Sequence, residues 1–267
     1  MTDYKNLILL VIFCIFASAA AIQLFYYLFF YLAVYLKKNG ESGRTAQPVS
    51  IIICARNEAE NLQNFLPSIL EQDYPDFEVI VVNDCSDDNS YIILGEFLAK
   101  YPHLRISTVH KDPKFTHNKK FAQFIGIKAA KNEILLFTDA DCRPESDKWL
   151  ETMISHFDEK ISFVLGYGGF NNEKGLLNKY IRYDSFTIAL QYLGMAIRMI
   201  PYMGVGRNLA YRRSVFSAIR VSVLIIMLFP VMMTFLLILL PQEEIQQLSS
   251  VLRLIPGQFL VLRSISG

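Results

Sequence analysis

Thirty consecutive residues without a charge, Leu7 to Leu36, constrain this chain more than any other feature of its sequence. A helix needs roughly 20 apolar residues to cross the hydrocarbon core of a bilayer, so the run is long enough to span one. Val221 to Leu240 is a second uncharged run, of 20 residues. The chain as a whole is 52% hydrophobic and 19% charged, against about 45–50% and about 25% in an ordinary globular domain. The two runs hold most of that excess. Between them, Lys37 to Arg220 carries 23 of the 26 Lys and Arg residues and 22 of the 25 Asp and Glu residues, the charge balance of one soluble domain. The apolar content excludes a disordered chain, and a net charge of +1 excludes nucleic-acid binding that rests on bulk charge.

Ala17-Ser18-Ala19 inside the first run has the small-residue character of a signal-peptide cleavage site. The apolar run nevertheless continues through Tyr26, Tyr27, Phe29, Phe30 and Tyr31, so it reads as an uncleaved anchor. Lys37, Lys38 and Arg44 follow it while only Lys5 precedes it, which by the positive-inside rule puts the charged domain in the cytoplasm. Arg212, Arg213 and Arg220, ahead of the second run, agree. The expectation is a multi-pass protein of the inner (cell) membrane, with residues 1–6 a tail, 7–36 and 221–240 spans, 37–48 a linker and 241–267 a tail. Cys14, Cys54, Cys85 and Cys142 form no Cys-x-x-Cys pair, so neither a zinc site nor a disulfide framework is expected.

Inside the domain, apolar β-branched runs alternate with helical periodicity. Val49–Cys54, Glu78–Val82, Leu104–Val109 and Glu133–Phe137 read as buried strands, and Glu60–Gln72, Ser90–Tyr101 and Lys119–Lys131 as helices between them. That alternation predicts an α/β fold, a mostly parallel sheet with helices on both faces. In such sheets ligands bind at the carboxyl ends of the strands. Polar residues gather there: Arg56-Asn57-Glu58, Asn83-Asp84, and Asp139 with Asp141. No G-x-G-x-x-G motif or P-loop is present, which disfavours the dehydrogenases and ATPases that use them. Gly166-Tyr167-Gly168-Gly169 and Gly204-Val205-Gly206 read as positions of backbone geometry. In Phe137-Thr138-Asp139-Ala140-Asp141, two carboxylates one residue apart follow a buried strand. Such a pair can hold a hard divalent cation, Mg²⁺ or Mn²⁺, that also touches phosphate oxygens.

Four segments in order, PVSIIICARNEAENL, SILEQDYPDFEVIVVNDCSDDNS, NKKFAQFIGIKAAKNEILLFTDADCRP and GVGRNLAYRRSVF, resemble the family 2 glycosyltransferases, from Pro48 to about Phe216. The resemblance implies a GT-A fold, here flanked by transmembrane helices. It also implies transfer of a sugar from a nucleotide-sugar, usually a UDP-sugar, with inversion at the anomeric carbon. Carried over, Ala55, Arg56, Asn57 and Glu58 line the nucleoside pocket and Asp84 accepts a hydrogen bond from the base. Lys119 or Lys120 matches the basic position near the phosphates. Asp139 contacts ribose or metal, and Asp141 the metal. Gly206, Arg207 and Asn208 match the segment that shapes the donor and acceptor side, where Arg207 also suits a departing diphosphate.

One departure stands out. The acidic cluster that supplies the family's general base is missing, because nothing acidic lies between Asp184 and Glu243. A positioned base contributes about 10²–10⁴ in rate. Residues 49–220 therefore read as a nucleotide-sugar-binding domain truncated at its C-terminal part, through a natural shortening, an internal deletion or a gene-model error. Asp184 is the nearest remaining carboxylate for the base. It lies in the aromatic stretch Leu176–Ile200, which either packs on the sheet or rests on the membrane interface, where a lipid-linked or glycan acceptor would arrive. The alternative from another class is a catalytically impaired nucleotide-sugar-binding membrane protein.

Overall fold

The computed structural model describes residues 2–37, 46–110, 119–158, 161–198, 200–218 and 253–262, the last segment by its backbone. The expected second span, Val221–Leu240, lies outside the described residues, as do most of the linker and of the C-terminal tail. Helix α1 (Thr2–Tyr26) runs through a π-helical turn, Tyr27–Tyr31, into α2 (Leu32–Leu36). Tyr4–Leu36 makes 33 continuous residues, long and apolar enough to cross a membrane, and its most apolar window is not buried against the rest of the chain. Phe30 and Ala33, near its end, are buried.

The elements that follow run in the order the periodicity predicts. They are β1 (Val49–Ala55), α3 (Ala59–Leu70), β2 (Phe77–Asp84), α4 (Ser90–Lys100), β3 (Leu104–Val109), α5 (Lys119–Ala129) and β4 (Ile134–Asp139). The strands pair in parallel, β3-β2-β1-β4, with Ile51 opposite Val79 and Leu136. Successive side chains of a strand point to opposite faces, so a strand covered on both must be apolar throughout. Ile51, Ile53, Val79, Val81 and Leu136 pack with Leu62, Leu66 and Ile69 of α3 and Leu94 of α4. Ile52, Ile80, Val82, Leu135 and Phe137 pack on the other face, with Ala122 and Ile127 of α5.

The rest of the sheet is β5 (Cys142–Pro144), β6 (Phe163–Phe170), β7 (Leu209–Arg212) and β8 (Arg253–Leu262), with α6 (Trp149–Ile154), α7 (Leu176–Ile197) and α8 (Arg213–Ala218). The full order is β3-β2-β1-β4-β7-β6-β8-β5, with β7 antiparallel to both β4 and β6. Helix α6 adds Trp149, Leu150 and Met153 to the first core, and α7 adds Ala189, Tyr192, Leu193 and Ala196 to the second. The chain winds outward from β1 to β3 and then crosses back to β4. This switch in direction opens a crevice between the carboxyl ends of β1 and β4, the usual ligand position in open α/β sheets.

Candidate active site

A cavity of about 220 Å³ occupies that crevice. Its walls include Ala55 and Arg56 from the end of β1, Glu58 just beyond, Asp84 from the end of β2, Lys119 from the start of α5, and Asp139 and Asp141 at the end of β4. Register accounts for the convergence: Cys54 pairs with Asp139 and Ala55 with Asn83, so three strands end at one level. The cavity wall carries four carboxylates against two cations. Such an excess of negative charge favours a bound cation.

Lys119 is one of the two cations of the wall. Its Nζ donates to Asp139 Oδ1 at 2.5 Å. Burial favours the neutral amine, but the Asp139 carboxylate outweighs it and the lysine pKa lies above its ordinary value. Lys119 opens α5 and Ala122, one turn on, lines the same wall. The amino end of a helix presents unpaired N–H groups and a positive dipole, both suited to phosphate. Burial pushes the Glu58 pKa up, and the charges of Asp141, Asp139 and Asp88 add to the rise against a hydrogen bond from Asn61. Carboxylates are crowded here.

The crowding suits a cation. Asp139, Asp141 and Cys142 each place a ligand atom within 4.8 Å of the others. Burial drives the Cys142 thiol far above its ordinary pKa, with Asp141 and Asp139 raising it further, and its Sγ donates to Asp141 Oδ1 at 3.3 Å. The oxygen donors of the set are two half-buried carboxylates, ligands that fit Mg²⁺ or Mn²⁺. Cys54, in the cavity wall, is likewise kept neutral, its pKa pushed up to about 12 by burial.

Other residues singled out in the sequence fall elsewhere. Asn57 does not line the cavity; it takes a left-handed backbone, φ 56°, and its Oδ1 accepts from the Asp87 amide at 2.8 Å while its own amide donates to Ser86 Oγ at 3.0 Å. Asp88 Oδ2 in turn accepts from the Ala59 amide at 2.9 Å. The loop after β2 thus caps α3 and locks the loop after β1, a clamp sequence reasoning missed. The Asp-Asp-Asn-Ser cluster at 87–90 was its signal, since such residues favour caps and turns.

Lys120 is absent from the cavity wall, and so are Gly206, Arg207 and Asn208. Asn208 is buried; its Oδ1 accepts from Trp149 Nε1 at 3.1 Å and its Nδ2 donates to the Tyr167 carbonyl at 3.0 Å. Arg207 lies along β6, where its Nε donates to the Gly168 carbonyl at 3.2 Å and its guanidinium sits 5.4 Å from the Phe170 ring. A Cβ on Gly168 would lie 2.8 Å from Arg207 Nε, which explains a glycine there. Asp184 is exposed on α7 and is likewise absent from the cavity wall.

Comparison with known proteins agrees with this geometry. Residues 50–220 match the model of "Glycosyl transferase family 2". The chain is 33% identical over 149 residues to glycosyltransferase AglE of Haloferax volcanii, covering 52% of this chain and 45% of that protein. Among solved structures it is similar to the mannosyltransferase PcManGT from Pyrobaculum calidifontis in complex with GDP-Man and Mn²⁺. That likeness has TM-score 0.65 and 18% identity, over 92% of this chain and 66% of that one. It is also similar to S. aureus TarS 1–349 in complex with UDP-GlcNAc, with TM-score 0.56 and 17% identity, over 82% of this chain and 59% of that one. The chain spans less than half the length of the curated relative and about 60–66% of the two structural ones. The structural likenesses establish the GT-A fold, and the family model, matching well over half the residues, establishes that the chain belongs to glycosyl transferase family 2.

Proposed function

We propose that the chain is a membrane-anchored, inverting glycosyltransferase that takes a sugar from a nucleotide-sugar, with UDP as the nucleotide. The acceptor is a lipid-linked or glycan hydroxyl at the cytoplasmic face of the cell membrane. The observation that carries this reading is the single cavity that gathers Arg56, Glu58, Asp84, Lys119, Asp139 and Asp141 at the strand ends. Ala55, Arg56 and Glu58 flank the nucleoside, with Asn57 holding their loop in shape, and Asp84 accepts from the base. Lys119, rather than Lys120, faces the phosphates together with the first turn of α5.

Asp139 and Asp141 would hold Mg²⁺ or Mn²⁺, which would supply positive charge to offset that of the diphosphate leaving group. Lys119 would supply a second positive charge to the diphosphate, and Asp139 keeps that ammonium oriented and charged. In the transfer, the acceptor hydroxyl oxygen bonds to the anomeric carbon as the bond to diphosphate breaks on the opposite side, which inverts the centre, and the hydroxyl proton passes to water. Gly206, Arg207 and Asn208 shape the donor side by fixing β6 and β7. The anchor is the Tyr4–Leu36 helix; Val221–Leu240 adds a second span on composition alone.

A second reading has its own observation. Asp184 is exposed and away from the cavity wall, so a protein that binds a nucleotide-sugar without transferring it is the competing function. The two separate in one experiment. The full chain in detergent or membranes is given UDP-sugars with Mn²⁺, and released UDP is measured beside calorimetric binding of UDP. Release supports the transferase, whereas binding with no release favours the second reading.

A further inference from the structure

Lys119 already occupies one oxygen of the carboxylate pair. Its Nζ donates to Asp139 Oδ1 at 2.5 Å, while Cys142 Sγ donates to Asp141 Oδ1 at 3.3 Å. One oxygen of each carboxylate is therefore engaged by a protein donor, and the donor on Asp139 carries a full charge. Burial works against that charge, but Asp139 and, after it, Asp141 hold the lysine pKa above its ordinary value. The ammonium thus lies in the field of both carboxylates that suit a divalent cation.

Two cations on one carboxylate repel each other, and a partly closed crevice screens that repulsion less than open water does. A divalent ion taken by Asp139 and Asp141 therefore meets Lys119 as a competitor. Of the two members of the ion pair, the lysine is the one able to yield. Asp139 closes β4, in register with Cys54 of β1, and only 27% of its side-chain surface is exposed. Lys119 is the first residue of α5, and 57% of its side-chain surface is exposed. Its flexible four-carbon stem can swing without any movement of the helix. The swing needs a second anion, because an ammonium that leaves Asp139 for water gives up a charge-assisted hydrogen bond. A diphosphate in the same crevice is such an anion.

We infer that Lys119 and a divalent cation compete for Asp139, and that the diphosphate of the nucleotide ends the competition by drawing the ammonium onto its own oxygens. The inference rests on the reading of this cavity as a metal and nucleotide-sugar site. Its consequence is linked binding. The cation binds weakly alone and tightly with the nucleotide, and the nucleotide gains from the cation by the same factor. Lys119 then acts in opposite directions on the two ligands, holding back the metal and retaining the diphosphate.

Mn²⁺ binding is the readout. The full chain in detergent is titrated with Mn²⁺, and the free ion is followed by its electron paramagnetic resonance signal, first without and then with UDP. Lys119→Met removes the charge without offering an oxygen ligand. Lys120→Met removes the same charge one residue on, from a side chain absent from the cavity wall. Lys119→Met should tighten Mn²⁺ binding in the absence of UDP by about tenfold, and shrink the tightening that UDP adds by a similar factor. Lys120→Met should change neither. Mn²⁺ binding that Lys119→Met leaves unchanged or weakens overturns the inference and leaves the metal and nucleotide reading standing. So does an equal gain in Lys120→Met, which would make the effect one of net charge. A wild-type chain that takes up no Mn²⁺ with or without UDP removes the reading of the cavity itself, and the inference with it.

Discussion

At the cavity wall, charge balance turns on Lys119. It faces Asp139 across 2.5 Å, and a diphosphate would meet its ammonium together with the first turn of α5. Replacing Lys119 with Gln keeps a donor and removes the charge, so UDP affinity should fall by about tenfold, about 1.4 kcal/mol, in titration calorimetry. Asn208 behaves differently, since both ends of its amide are spent inside the fold on Trp149 and Tyr167. Asn208→Ala strands a buried indole N–H and a carbonyl, and should cost roughly 2–3 kcal/mol in denaturant unfolding. The family resemblance puts Asn208 on the donor side; the structure gives it a clamping task between α6 and β6. That task was not legible in the sequence because Trp149 is 59 positions away. Asp139 and Asp141 were legible because a single strand end carries both.

At the scale of elements, the end of the sheet opposite the cavity is held by Glu78. It accepts from Ser50 Oγ at 2.7 Å, from the Lys131 amide at 2.7 Å and from Arg105 Nη1 at 3.0 Å, tying β1, β2, β3 and the turn before β4 together. Burial alone would raise the Glu78 pKa, but these hydrogen bonds and the Arg105 charge overcome it and hold the carboxyl below its ordinary value. A carboxylate depressed in the folded state contributes stability that is complete above its unfolded pKa, near 4.5, and is lost as pH falls through the lower folded one. Glu78→Gln should therefore cost roughly 2–3 kcal/mol near neutral pH, and the gap from wild type should narrow in unfolding curves taken in acid below that range. The strands that this network joins were legible as continuous apolar runs, because burial on both faces removes alternation. Strand β6 was not. Its Phe-Val-Leu-Gly-Tyr-Gly-Gly-Phe sequence is shaped by what crosses it: a Cβ on Gly166 would meet Asn208 Nδ2 at 2.2 Å. Four-residue β7, inserted between β4 and β6, has too little sequence to announce itself.

Across the described residues, an apolar helix, a four-stranded parallel core and an extension of mixed strand direction divide the work. The parallel core ends in the carboxylate-lined cavity, the extension carries α7 away from it, and α7 returns to the apolar helix at Gly194. The first hydrophobic run was readable as a long apolar helix, whereas the docking of α7 on Phe29 and Phe30 joins segments 169 positions apart and had no local signature. The central claim is that the cavity binds a nucleotide diphosphate through a divalent cation held by Asp139 and Asp141. Titration calorimetry of UDP into the full chain, with Mn²⁺ and then with chelator, tests it most directly when run beside the Asp139→Ala, Asp141→Ala double variant. Binding by the wild type should collapse on chelation and the variant should show no metal-dependent binding; equal UDP affinity with and without the two carboxylates would rule out a metal-bridged diphosphate site.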